Sequence, residues 1–120
     1  MAVVGAQAQI TAAVVSWEGV KALPHRIGSS ESGTEYRLGK KREIGHIHGD
    51  DMVDIPFPTA IRIALVRTGK AQPHHLLKDS GWVSFYLQQP EDVDHAISLF
   101  RRSYEIARKQ MADPPETKSD

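Results

Sequence analysis

The sequence predicts a two-layer α+β domain in the order α-β-β-β-α-β-β-α, with an antiparallel sheet and its helices on one face. Three observations lead there. Helix-period apolar stripes open and close the chain. Short extended segments between them alternate with Gly- and Ser-rich turns. A second helix-period stretch divides those segments into three and two. A chain of 120 residues holds one such core. One consequence bears on function, because the opposite face of such a sheet is left to water, a ligand or a second subunit.

Ala6 to Trp17 is predicted as the first helix, since Ile10, Ala13, Val14 and Trp17 share one face and Gly19 supplies a left-handed end. Val20–Arg26, Thr34–Leu38 and Arg42–His48 then form a meander, punctuated by Gly28-Ser29-Ser30 with Ser32-Gly33 and by Gly39-Lys40-Lys41. Asp50-Asp51 begins a connection. Pro56 and Pro58 lead into a helix of Pro58–Thr68, with Ile61, Ala64, Leu65 and Thr68 inward and Gly69 at its end. Gln72–Leu77 is a short extended piece. In Gly81–Gln88, Val83, Phe85 and Leu87 alternate with Trp82, Ser84 and Tyr86. The last helix starts at Pro90 with Glu91 and Asp92, carries Val93, Ala96, Ile97, Phe100, Tyr104 and Ala107 as a stripe, and ends among basic residues. Residues 1–5 are expected to be a flexible N-terminus, 6–111 a single domain, and 112–120 a disordered polar tail.

Composition removes several function classes. Fifteen Lys+Arg balance fifteen Asp+Glu, which argues against a nucleic-acid coat protein or a polybasic membrane binder. The lack of cysteine excludes disulfides, thiolate metal sites and Cys nucleophiles. No apolar run reaches the ~20 residues of a membrane span, and Ala2–Val15 lacks a basic n-region, so a soluble cytoplasmic location is expected. Phosphate-loop, nucleophile-elbow, HExxH and EF-hand patterns are all missing.

Six histidines in so short a chain are the conspicuous remainder. His46 and His48, two apart on one strand, project from the same face, with Asp50, Asp51 and Asp54 close behind. His74 and His75 precede the strand that carries Trp82 and Tyr86 on its non-core side. Two readings fit. The imidazoles are either metal ligands (His46, His48, one of His74 or His75, and Asp50) or a coupled acid–base pair. His25 is set aside, as is His95 on a helix among acids. Trp82 and Tyr86 on an open face mark a binding surface, a homodimer contact or a stacking platform. The one basic cluster, Arg37, Lys40, Lys41 and Arg42, reads as a solvated hairpin turn rather than a nucleic-acid site.

The run Lys41-Arg42-Glu43-Ile44-x-His46-x-His48, then Gln72-x-His74, Trp82-x-x-x-Tyr86 and a closing amphipathic helix resembles the catalytic domain of fungal luciferases. From about Ile10 to Arg108 the chain is more closely similar to small stand-alone bacterial luciferase-domain proteins, through "REIGHIHGD", "DIPFP", "PHHLLKDSGWVSF" and "LFRRSYE". The element order also looks like the MmcQ/YjbR type of α+β domain, which has been suspected of DNA binding. The fungal resemblance implies oxidation of a planar, acidic hydroxypyrone by dioxygen, without flavin or other organic cofactor. Carried over, His46 or His48 would be the base, His74 would stabilise the developing anion, Arg42 would neutralise an enolate, and Trp82, Tyr86 and His75 would hold the substrate. The membrane-anchoring N-terminal region of the fungal enzymes has no counterpart here, and Asp54-Ile55-Pro56-Phe57-Pro58 is peculiar to the small proteins. Light emission is accordingly not expected, and a non-enzymatic interaction module is the competing expectation.

Overall fold

A computed structural model describes residues 2–27, 30–74 and 80–112. Its elements are α1 (Ala6–Val14), β1 (Val20–Ile27), β2 (Ser30–Leu38), β3 (Arg42–His48), β4 (Met52–Pro56), α2 (Thr59–Arg67), β5 (Gln72–Pro73), β6 (Trp82–Tyr86) and α3 (Glu91–Ala112). The strands form one antiparallel sheet in the order β1-β2-β3-β4-β6-β5. The α+β class is as the sequence predicts, but the sheet has six strands where five were expected.

The additional strand is β4, in the stretch that the sequence predicts to be a connection after Asp50-Asp51. It pairs with β3 through His46↔Asp54 and Ile47↔Val53, and with β6 through Asp54↔Ser84 and Ile55↔Val83. Its five residues include a buried aspartate and end on a proline, so neither length nor composition announces a central strand. The expected extension of the β5 segment to Leu77 and the tail 113–120 lie outside the described residues.

Residues directly opposite one another across the ladders share a face. One face carries Ile47, Val53, Ile55 and Val83, all buried. These join Ile10 and Val14 of α1, Leu65 of α2, and Val93, Ala96, Phe100, Tyr104 and Ala107 of α3 in one core. The stripe expected on α3 is thus the inner face of that helix. On α2 only Leu65 of the expected stripe is buried, while Ala64 and Thr68 are exposed. Asp92 accepts the backbone N–H groups of Gln88 and Gln89 at 2.9 and 3.0 Å, which fastens the entry to α3.

Where α3 crosses the sheet, β3 bulges. Tyr36 faces Gly45 and Arg37 faces Glu43, which leaves Ile44 as an extra, unpaired residue. Gly45 has φ of +142°, and a Cβ there would stand 2.5 Å from Phe100 Cε1. The bulge has a functional result. Glu43 and His46, three apart and on opposite faces of a regular strand, come to lie on the same one.

Candidate functional site

The second sheet face carries His25 of β1, Glu35 of β2, Glu43, His46 and His48 of β3, Asp54 of β4, and Trp82, Ser84 and Tyr86 of β6. Asp54 is the hub and is almost fully buried. Ser84 Oγ donates to its Oδ1 at 2.6 Å, while its Oδ2 faces three imidazoles. The Nε2 atoms of His48, His46 and His74 stand 2.7, 3.3 and 3.5 Å from that oxygen. His46 turns its other nitrogen, Nδ1, to Glu43 Oε2 at 2.6 Å.

The sequence assigns His25 no part in the site, and the structure brings it into the cluster. Its ring stacks on His46 with centroids 4.0 Å apart and meets His48 edge-on at 5.4 Å. The route is Gly33, which lies between His25 and His48 in the ladders and puts no side chain between them. A Cβ there would meet Ile47 O at 2.4 Å and His25 Cβ at 3.4 Å. In the sequence Gly33 reads as part of a turn, and only its place inside β2 shows that its missing side chain opens this lane. His25 Nδ1 contacts Glu35 Oε1 at 3.1 Å, and Arg37 Nε donates to the other oxygen of Glu35 at 2.5 Å.

Trp82 roofs the cluster, 5.3 Å from the His46 ring and 6.2 Å from His74. Tyr86 shares its face but stands at the rim, 42% exposed. Each electrostatic shift follows from this packing. Burial opposes ionisation of Asp54, yet hydrogen bonds with His46, His48 and Ser84, and the charge of His46, hold its carboxyl far below the usual range. Burial also works against the His46 cation, but bonds to Asp54 and Glu43 and their charges outweigh it and raise the ring to about 9. For Glu35, burial is likewise overcome by the His25 and Arg37 contacts, which lower it.

Other expected site residues lie elsewhere. Arg42 turns to the helical layer, where Nη1 donates to Gln110 Oε1 of α3 at 2.6 Å. Asp50 accepts the backbone N–H groups of Gln7 (2.8 Å) and Gly5 (3.2 Å), so it completes the N-terminus of α1, where a carboxylate is favoured by the helix dipole. The carboxylate among the imidazoles is Asp54, not Asp50, because strand parity turns Asp54 inward. His75 lies outside the described residues. His95 contacts Lys70 O at 2.8 Å and packs its ring on Phe85, away from the cluster.

No helix among the described residues is long and apolar enough to cross a membrane. The model of a family described as the luciferase domain matches residues 41–103, a span holding β3, β4, β6 and every cluster member except His25 and Glu35. No curated protein and no solved structure is significantly similar to the chain.

Proposed function

The chain belongs to the luciferase-domain family, and from that premise we propose that its histidine-lined sheet face binds a small, planar, acidic organic compound and promotes its oxidation by dioxygen. The observation that carries the reading is the placing of Trp82 over His46, on the face that also bears His48, His74 and Asp54. An indole wall beside imidazoles suits a flat molecule with an acidic oxygen, one part seeking a π surface and the other N–H donors. Tyr86 forms the rim. Arg42, held by Gln110, has no part in the reading.

In the proposed step the acidic hydroxyl of the compound gives its proton to the imidazole of His48, since His46 has both ring nitrogens on carboxylates. The resulting enolate carbon passes an electron pair to dioxygen as a C–O bond forms, and the returning proton completes a hydroperoxide. The substrate is oxidised by two electrons and dioxygen is reduced to the peroxide level, so no organic redox cofactor is consumed.

The test is titration of a hydroxypyrone into the full chain without oxygen, followed by admission of oxygen over an electrode. Binding should shift the absorbance of the pyrone, and oxygen uptake should follow only with protein present. Trp82→Ala should weaken binding about tenfold, or ~1.4 kcal/mol. Equal affinity in Trp82→Ala and the parent would dismiss the proposed pocket, and oxygen uptake no faster than without protein would dismiss the oxidation.

A further inference from the structure

We propose that the same cluster is a binding site for one divalent d-block cation, held by ring nitrogens of His25, His46 and His48, with the Asp54 carboxylate beside them. Two geometric facts converge on it. Ligand-capable nitrogens of His25, His46 and His48 all lie within 4.8 Å of one another. Asp54 Oδ2 stands 3.3 Å from His46 Nε2, the separation expected of two donors on one ion, whereas its 2.7 Å hydrogen bond to His48 Nε2 would open as an ion enters. Donors ~2.0–2.1 Å from zinc at tetrahedral angles are separated by about 3.3 Å.

The surrounding contacts have the form that metal sites use to orient ligands. His25 and His46 each direct Nδ1 to a carboxylate, Glu35 and Glu43, which leaves Nε2 as the nitrogen of each ring for an ion. Carboxylate–histidine pairs of this kind fix the tautomer and strengthen the imidazole as a donor. Ser84 does the same for Asp54 by occupying Oδ1, so that Oδ2 is the oxygen presented. Glu35, Glu43 and Asp54 bring three carboxylates to the cluster, a setting that favours a cation among them. Nitrogen-rich donors with one carboxylate suit zinc, iron, copper or nickel rather than calcium or magnesium.

The catalytic role of the cation rests on the function proposed above, whereas the site itself does not. An acidic substrate approaching three carboxylates meets repulsion, and a cation at their centre would hold its oxygen and stabilise the enolate.

Zinc alone is the probe. The full chain is stripped with chelator and titrated with zinc by calorimetry, then with cobalt(II) under a visible spectrophotometer. One equivalent of zinc should bind, and cobalt should give the intense visible bands of a four-coordinate nitrogen–oxygen site. His25→Ala, on the edge strand β1 with its side chain 21% exposed, should weaken zinc at least about 100-fold. Glu43→Gln, which removes only the orienting charge, should weaken it about 10- to 100-fold. His95→Ala, outside the cluster, should leave affinity unchanged, and circular dichroism shows which variants keep the fold. Sub-stoichiometric zinc, or equal affinity in His25→Ala and His95→Ala, overturns the inference. A stripped protein that takes no zinc but still binds the hydroxypyrone sinks the metal site alone. A zinc-loaded protein indifferent to the pyrone sinks the proposed function alone.

Discussion

Gly45→Ala should be among the most damaging single-methyl additions in this chain, and its cost can be divided between two sources. The first is backbone strain. At φ of +142° an L side chain is disfavoured, and holding a non-glycine residue in such a region costs about 1–3 kcal/mol. The second is overpacking. The new Cβ would lie 2.5 Å from Phe100 Cε1, with Phe100 Cδ1 and Asp54 O each at 3.0 Å, and relief of such contacts in a full core costs about 1–3 kcal/mol more. The sum, roughly 2–6 kcal/mol, is a large share of the 5–15 kcal/mol typical of a domain. Urea unfolding of four proteins separates the two parts: the parent, Gly45→Ala, Phe100→Leu and the double variant. In the Phe100→Leu background the alanine should cost about 1–2 kcal/mol less, since the ring clash is gone while the strain and the Asp54 O contact remain. A cost below about 0.5 kcal/mol for Gly45→Ala would refute the reasoning outright. An identical cost in both backgrounds would refute the assignment to Phe100. Where the chain escapes by losing the bulge, Glu43 turns off the site face, and the His46 Nδ1 proton should lose its low-field NMR signature.

Three further outcomes follow from contacts outside the cluster or beside it. Asp50→Ala should destabilise by about 1–2 kcal/mol, the usual cost of a lost helix N-cap, and speed amide exchange in α1. Zinc affinity unchanged in that variant separates its role from that of Asp54. Tyr36 is fully buried, its hydroxyl is 2.7 Å from Thr11 Oγ1, and burial, against that bond, pushes it up to about 12. Its folded pKa lies above the unfolded value, so this contribution is complete below about pH 10 and is lost as pH rises toward 12. Tyr36→Phe, which loses the Thr11 bond, should be about 1 kcal/mol less stable than the parent at neutral pH, and the two stability curves should converge above pH 10 and then cross. Parallel curves through that range would contradict the shift. Gly33→Ala, whose Cβ would meet Ile47 O at 2.4 Å, should drive β2 from β3 and cost zinc affinity as well as stability; loss of stability with unchanged affinity would show that His25 does not need that lane.

What was legible in the sequence was whatever depends on local period. The i, i+2 rule placed His46 with His48 and Trp82 with Tyr86, and ladder register carries all four onto one face. The 3.6-residue stripe of α3 likewise reads straight into its buried residues. What was not legible depends on register between distant strands. His25 reaches His46 only because a hairpin aligns it with Gly33, and Gly33 with His48. Glu43 joins them only because a bulge at Ile44, forced beside Phe100, breaks the alternation. Asp50 and Asp54 are indistinguishable as residue types in the same stretch. One turns to a helix end 43 residues away and the other into the sheet, because β4 begins between them.

The same reasoning explains why the hub is a buried carboxylate in a central strand, where sequence rules least expect one. A lone aspartate so placed would carry a desolvation cost of several kcal/mol, and a strand with no function would hold an apolar residue there. Three imidazole contacts and the Ser84 hydroxyl offset that cost, but each also fixes a partner, so the polar network replaces what a valine would provide without demanding four other residues. Asp54→Val with Ser84→Ala is therefore the informative pair. If the network only stabilises the fold, an apolar substitute of similar volume should match or exceed the parent in unfolding free energy and leave nothing else changed. If the cluster is a built site, the double variant should stay folded, lose zinc and the hydroxypyrone together, and leave His46 to Glu43 alone. A double variant that still binds both ligands would remove Asp54 from the centre of the site.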